Sequence, residues 1–599
     1  MSPVIGQVSA TKYYVGRVLF EGNTSYSDSR LRSILKLKKP GLFRVTEFNR
    51  RTLKLDAISL RNFYISEGYL KTNVEESYVV RESGEINILF KIEEGERFHL
   101  RSFHITGDFL ISKKKIKKIL GLQINKPFDP VTINNGFFVL EKEYKKLGKL
   151  YFSYKDSLSP TFDVEYFIIF DEGLTVKIDK IKIDGLQTVN STTVLRELKF
   201  NTGDIYNEEE IFLSQRRLFE TGLFSIVSIY PFKSTRGEDW VDLRIELREF
   251  KKREWLSEGG LYPIQSTSEG GEPFPGAGIT MEWRNRNIFS KGTRFSIKNT
   301  LEIPISSDEN VITNPILRFE TIASRQWLGG LRFPTTLKIF YEKLPELQVD
   351  AERLTRYGLD WSYHHKSSEY SLWRGGLKLA RIHSSEVDNQ TQEQKQSFNL
   401  MYRYRKVDNP ITPKKGAFFS VQHSFIWYQT NTTSYFYRTE FDYRRYYSIR
   451  NSWVLALRMK IGWVSRIGGS GIEVPSYDKY YLGGSTSLRG WEQHLFKTEI
   501  INEDKTSMGG NYKALINTEL RIPVWGRFGI NLFLEGGILE DYLRDVKSSF
   551  KEWSEWIGWD GGMELSISTP IGPVRIYYAV RLSDRNKKVT PNIGLMYAF

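Results

Sequence analysis

From about Lys252 to the last residue, apolar and polar side chains alternate in stretches of ten or so residues separated by turn residues. Val574 to Arg581 and Ile516 to Ile522 alternate without interruption. A period of two puts successive side chains on opposite faces of a strand. No apolar run approaches the ~20 residues that a transmembrane helix needs. A chain of this kind can still cross a membrane as a closed antiparallel barrel, in which only alternate residues meet lipid. Roughly sixteen such segments follow one another, an even number of the kind barrels use. The last of them, Asn592 to Phe599, sets Ile593, Leu595, Tyr597 and Phe599 against Asn592, Gly594, Met596 and Ala598, and has no polar tail behind it. The expectation is a terminal strand with the first set on one face and an aromatic at the membrane interface.

At 599 residues the chain is more than one domain. It has no Cys, which removes disulfides, thiolate metal sites and Cys nucleophiles. The formal charge of +15 admits nucleic acid or anionic lipid as partners, but Lys and Arg are spread along the chain among Asp and Glu. The densest basic run, Lys113 to Lys115 with Lys117 and Lys118, falls on an expected helix and reads as its solvated face, the alternative being contact with anionic lipid head groups or an acidic client. The first residues, Met1 to Gln7, carry neither a basic nor an apolar export segment. A protein bound for an outer membrane needs one, so we expect a processed leader or a start site placed elsewhere.

The first ~250 residues repeat at the scale of a small domain. Val18 to Asn23, Phe103 to Asp108 and Ile181 to Leu186 each read as a strand running into a Gly turn (Gly22, Gly107, Gly185) and then a helix, with Asp28, Ser112 and Ser191 as N-caps. A second helix in each unit ends at a Gly (Gly68, Gly148, Gly222), the residue that tolerates the left-handed conformation past a helix. Two strands close each unit, and the joints Glu93-Glu94-Gly95 and Asp171-Glu172-Gly173 match. This β-α-α-β-β order, three times over, resembles POTRA (polypeptide-transport-associated) domains. The expected division is a tail at 1–12, POTRA units at 13–95, 96–173 and 174–251, and a barrel of about sixteen strands at 252–599.

Within the barrel, the long stretch from Gly468 to Gly510 contains Leu488-Arg489-Gly490-Trp491. This resembles the (V/L)RG(F/Y/W) motif of the outer-membrane-protein assembly superfamily, the BamA/TamA type. Asn592, Gly594, Tyr597 and Phe599 resemble the terminal β-signal of outer-membrane proteins. Phe533-Leu534-Glu535-Gly536-Gly537 resembles a family Phe-x-Asp-x-Gly pattern, with Glu in place of Asp. The resemblance implies that the loop folds back into the barrel and that Arg489 pairs with acidic residues on the lumen wall. Alternation separately turns Glu535 and Glu519 toward the lumen, where they are available to Arg489. Three repeats before a barrel of this length are most like the TamA branch.

No catalytic constellation stands out. His364, His365 and His383 lack an acidic cluster at metal spacing, and there is no Gly-x-Ser-x-Gly elbow or phosphate-binding loop. The sequence therefore points to a non-enzymatic protein without a cofactor and without a nucleic-acid partner. The resemblance implies a machine that folds and inserts β-barrel or autotransporter-type clients in the bacterial outer membrane. Its POTRA units would lie in the periplasm, in contact with unfolded clients, outer-membrane lipids and a TamB-like partner. The alternative is an FhaC-like pore that secretes one dedicated passenger. The first barrel strand, with Trp255, Gly259, Gly260 and Tyr262, is expected to pair with Asn592 to Phe599 and form a weak lateral seam, because Gly weakens strand interiors.

Overall fold

The computed structural model describes residues 13–599 except 39–45, 83, 108, 160, 265–273, 290, 305–314, 345–352, 386–389, 450–452, 470–472, 502–503, 508, 543–544, 546–556, 570–571, 584–588 and 596. Two compact units divide the chain between Glu249 and Phe250, with Thr188–Asn190 belonging to the second.

The first unit is built three times from one plan. Its repeats are β1 (Tyr14–Glu21), α1 (Asp28–Ile34), α2 (Arg50–Ser66), β2 (Asn73–Val80) and β3 (Glu85–Glu93), then β4 (His99–Gly107), α3 (Lys113–Leu120), α4 (Pro130–Lys146), β5 (Ser153–Leu158) and β6 (Asp163–Asp171), and finally β7 (Lys177–Asp184), α5 (Ser191–Leu195), α6 (Glu208–Glu220), β8 (Phe224–Lys233) and β9 (Trp240–Glu249). Each sheet has its third strand in the middle, parallel to the first and antiparallel to the second. The helices cover one sheet face, so Ile86, Ile88 and Phe90 of β3 pack with Leu53, Leu60 and Tyr64 of α2 in a closed core. The second repeat does the same with Ile168 and Phe170 against Phe137, Leu140 and Tyr144.

Sequence alone misplaces two of the three first-helix caps. Ser27, not Asp28, accepts from the Arg30 amide, and Asp28 instead opens α1, where its charge suits the N-terminal dipole. Ser191 is the first residue of α5 rather than the residue before it. Ser112 does cap α3. On that helix Ile116 and Leu120 are buried while Lys115 reaches Glu143 at 2.6 Å, so the basic run is a solvated face.

The repeated Gly turn has one steric cause. Gly22, Gly107 and Gly185 sit at φ of 81°, 102° and 90°, and a Cβ there would stand 2.1, 2.2 and 1.9 Å from the carbonyl oxygens of Ile92, Phe170 and Leu247. Two residues beyond each carbonyl comes a Glu. Glu94 accepts from Ser25 N at 2.9 Å, Glu172 from Leu110 N, and Glu249 from Gln187 N at 2.8 Å. Sequence reading saw the first two of these acids but not their task, which is to close the turn.

Among the described residues the second unit is one antiparallel sheet of sixteen strands, paired in chain order. They are β10 (Arg253–Ile264), β11 (Phe274–Ile288), β12 (Thr293–Pro304), β13 (Ile316–Leu328), β14 (Leu331–Leu344), β15 (Arg353–Lys366), β16 (Ser371–Ser385), β17 (Gln390–Val407), β18 (Gly416–Gln429), β19 (Thr433–Ser448), β20 (Val454–Gly469), β23 (Tyr512–Trp525), β24 (Phe528–Glu540), β25 (Gly558–Thr569), β26 (Gly572–Arg581) and β27 (Val589–Leu595). A small hairpin, β21 (Thr498–Ile501) and β22 (Asp504–Ser507), belongs to the long loop between β20 and β23. Outward residues are apolar and exposed, as with Ile516 (51 %), Leu532 (45 %) and Leu534 (47 %), whereas their neighbours Asn517, Asn531 and Glu535 are buried in the lumen. A polar inner face and an apolar outer face give the barrel pattern its physical basis.

Two expectations about the ends fail. The last strand stops at Leu595, so Tyr597 and Phe599 do not continue the outward face of Ile593, which is 47 % exposed. The tail turns inward instead. Phe599 (6 % exposed) and Ala598 pack with Tyr446, Val454 and Ala456, and the Arg521 guanidinium lies 3.7 Å from the Tyr597 ring and donates to the Phe599 carbonyl at 2.9 Å. A buried guanidinium with aromatic faces and an acceptor beside it holds the tail more firmly than an exposed interface position would. The seam differs too: β27 comes within 8 Å of β10 and β11 by Cα distance, yet among the described residues no ladder joins β10 to β27.

Candidate functional site

The loop between β20 and β23 enters the lumen and is buried there. Tyr480, Tyr481, Leu482, Leu488 and Arg489 are all 0 % exposed. Its apolar members pack with Leu515 of β23 and Leu539 of β24, and its polar members meet the wall. Tyr480 donates to the Thr439 carbonyl at 2.9 Å and receives Arg438 Nε at 3.2 Å. Asp478 pairs with Lys395 of β17 at 2.6 Å, and the Tyr477 hydroxyl meets Glu393 of the same strand.

Arg489 is the centre of the loop's charged contacts. Its Nε reaches Glu535 at 3.0 Å, its Nη1 reaches Glu519 at 3.2 Å and Glu564 at 2.9 Å, and its own amide donates to Glu535 at 2.8 Å. All three carboxylates are 0 % exposed, and they come from β24, β23 and β25 in turn. The guanidinium carbon also lies over the Phe533 ring, 3.7 Å from its centroid. Gly490 donates its amide to Asp560 at 2.9 Å, and a Cβ at that position would stand 2.8 Å from the Asp560 Cβ, so only Gly lets the backbone come this close. Leu488 is buried in the loop's apolar cluster, and Trp491 stacks edge-on against Phe496 with the Arg581 guanidinium 5.0 Å from its ring.

The network extends beyond the acids that the sequence singles out. Glu564 also holds Arg575 at 2.8 Å, and Arg575 donates to the Ser485 carbonyl of the loop at 3.1 Å. Asn517 bridges Ser487 and Glu535, and Asn531 donates to Glu564 at 2.6 Å. Glu519 shares itself between Arg489 and Arg521, and Arg521 is the residue that holds the terminal tail. Asp560, Glu564 and Arg575 were within reach of sequence reasoning. They are charged residues at inward positions of strands whose alternate positions are apolar.

The proposed seam and signal residues are scattered by comparison. Trp255 is 77 % exposed on β10, Gly259 and Gly260 lie opposite Ile279 and Gly278 of β11, and the Tyr262 side chain lies outside the described residues. Asn592 and Gly594 are on β27, opposite Tyr577 and Arg575 of β26. A Cβ on Gly594 would stand 2.6 Å from the Arg575 guanidinium, which places this strand directly beside the charged cluster.

A sixteen-stranded antiparallel barrel with an apolar outer band, a lumen holding its own Arg-Gly loop and three β-α-α-β-β repeats before it define an outer-membrane barrel of the POTRA-bearing class. A model described as the Omp85 superfamily domain matches residues 322–595, and a POTRA model, described as surface antigen variable number repeat, matches residues 13–95 and 176–249. Residues 322–595 are thus an Omp85 superfamily domain, preceded by POTRA repeats. It is similar to the outer membrane protein assembly factor BamA of Nitratidesulfovibrio vulgaris, with 23 % identity over 97 % of this chain and 72 % of that one. BamA of Neisseria meningitidis serogroup B is 21 % identical over 94 % of this chain and 75 % of its own. The crystal structure of Haemophilus ducreyi BamA lacking POTRA domains 1–3 shares the fold with a TM-score of 0.61 and 16 % identity, over 83 % of this chain and 98 % of that one.

Proposed function

We propose that this protein folds and inserts β-barrel proteins into the bacterial outer membrane, with its barrel in that membrane and its POTRA repeats in the periplasm. The relatives that match nearly the whole of this chain carry the name of outer membrane protein assembly factors. The observation that carries the reading is the pair of uncoupled edges: among the described residues, β10 and β27 end the sheet without a ladder between them while a buried loop fills the lumen. An open strand edge cannot sit in lipid, where each unsatisfied peptide group costs several kcal/mol. A client strand that pairs with such an edge removes that penalty for both chains. The lumen loop weighs against an FhaC-like secretion pore, since a passenger would have to displace Arg489 from three carboxylates.

The POTRA units, taken as 13–95, 96–173 and 174–251, hand extended clients toward the barrel by lending them sheet edges. A TamB-like periplasmic protein and outer-membrane lipids are further partners in this proposal. Two measurements test it. The purified chain in lipid vesicles should speed the folding of an added unfolded barrel protein, read as heat-modifiable mobility on a gel. Depletion followed by outer-membrane proteomics should lower many barrels together. Loss of a single exported protein, with the barrels unchanged, would favour the secretion reading instead.

A further inference from the structure

The first and second repeats, and the second and third, meet at matching backbone bonds, one across each joint and one just inside the later repeat. Phe98 N donates to Gly68 O at 2.8 Å and His99 N to Phe162 O at 3.0 Å; Val176 N donates to Gly148 O at 2.9 Å and Lys177 N to Asp239 O at 2.8 Å. The two joints can therefore be matched residue by residue. At the first, Phe98 and Phe162 pack ring against ring, 5.3 Å between centroids. At the second, the same two places hold Val176 and Asp239, which form no such pair. The residues around them change in the opposite sense. Lys71, Glu96 and Asp163, all exposed and charged, correspond to Tyr151, Leu174 and Trp240.

The result is a cleft of about 630 Å³ at the second joint, lined by Tyr151 and Leu174 on one side and Phe232 and Trp240 on the other. Tyr151 and Leu174 are 50 % and 54 % exposed. The Arg236 guanidinium lies 3.7 Å from the Trp240 ring, and Lys182 and Lys177 reach the Phe232 and Trp240 rings at 4.9 and 5.8 Å. Glu238 is the acid in the lining. The cleft opens beside Pro231 to Lys233, the end of β8, and β8 is an outer strand of its sheet.

We infer that this cleft takes an aromatic side chain of an extended client segment, one that carries acidic residues beside the aromatic. The inference rests on the assembly reading above. An incoming ring replaces the intramolecular ring pair that the first joint has and the second lacks. The cationic rim suits a neighbouring carboxylate. The adjacent strand edge offers unpaired peptide groups, which a polypeptide can use and a lipid acyl chain cannot.

The test uses the full chain in lipid nanodiscs and a fluorescein-labelled peptide with the sequence of Ser434 to Tyr443, an aromatic strand with Glu440 and Asp442 in it. Its control has Ser at Tyr435, Phe436, Tyr437, Phe441 and Tyr443. The variant Tyr151→Lys with Leu174→Glu installs the charges of the first joint at two exposed positions, where folding is not at risk. Anisotropy titration should show the variant binding the aromatic peptide roughly tenfold more weakly or worse, as loss of anchoring contacts does, and the Ser peptide binding both proteins weakly. Equal binding by parent and variant, or equal binding of the two peptides by the parent, overturns the inference. So does a loss of phosphatidylglycerol-vesicle binding in the variant with peptide binding intact, which assigns the cleft to lipid. Failure of the parent to insert client barrels in vesicles counts against the assembly reading, and the peptide titration is read independently of it.

Discussion

Arg489 shows what one residue can carry when three strands answer it. Removing its side chain leaves Glu519, Glu535 and Glu564 buried with only part of their charge answered, by Arg521, Arg575 and the asparagines. Breaking a buried ion pair costs ~3–5 kcal/mol. Arg489→Ala should therefore lower the temperature at which the folded barrel loses its fast mobility in detergent gels, and reduce client insertion with it; unchanged melting would return the loop to a passive role. Arg489→Lys should recover part of the loss, because an ammonium answers charge but cannot span two carboxylates as the planar fork does. In the first repeat Glu94 offers a pH-dependent counterpart. Burial raises its pKa, but bonds from Ser25, Thr24 and Tyr64 outweigh this and hold the carboxyl below its ordinary value. A carboxyl with a depressed folded pKa contributes stability that is present above the ordinary carboxylate range and is lost as pH falls through the folded value. Thermal melts of a 1–250 fragment should thus fall more steeply below about pH 4 than those of the Glu94→Gln variant, which starts lower and stays flat.

At the scale of elements, the terminal tail is a separate piece from the strand that precedes it. Deleting Tyr597 to Phe599 should leave the POTRA unit folded and the barrel unable to insert, by proteolysis and membrane fractionation. Arg521→Ala should free the tail while leaving β27 in place, seen as faster carboxypeptidase cleavage of intact membranes-embedded protein. Period-two alternation made the strands legible, and with them the inward positions of Glu519 and Glu535, because side-chain direction follows from position alone. The turn glycines of the repeats were legible for a similar reason, since few residues tolerate their backbone. The inward turn of Tyr597 and Phe599 was not legible. It depends on Arg521, 76 residues before Tyr597, and on the wall formed by Tyr446 and Val454. The third carboxylate, Glu564, was missed because the family pattern drew attention to β24 and away from its neighbour.

Among the described residues the barrel is a sheet whose two outer strands come close without a ladder between them. The chain has no Cys, so introduced pairs can be read without background. Single Cys placed along Leu256 to Leu261, combined with Cys at Ile593 or Gly594, should yield disulfides for some pairs, and locking them should stop client insertion until a reductant is added. Insertion at the normal rate by the locked protein would sink the gate. The lumen loop has a mechanical consequence as well. Its bonds reach β17 through Lys395, β19 through Arg438, and β23, β24 and β25 through Arg489. That arc of wall is cross-braced from within and can widen only by breaking several charge-assisted bonds together. Strands β10 to β16 are linked along their lumen face by pairs between neighbours, such as Arg318 with Glu302 and Arg356 with Glu342. Strain from an arriving strand therefore meets a wall tied from within along the cross-braced arc, which serves as a fixed abutment.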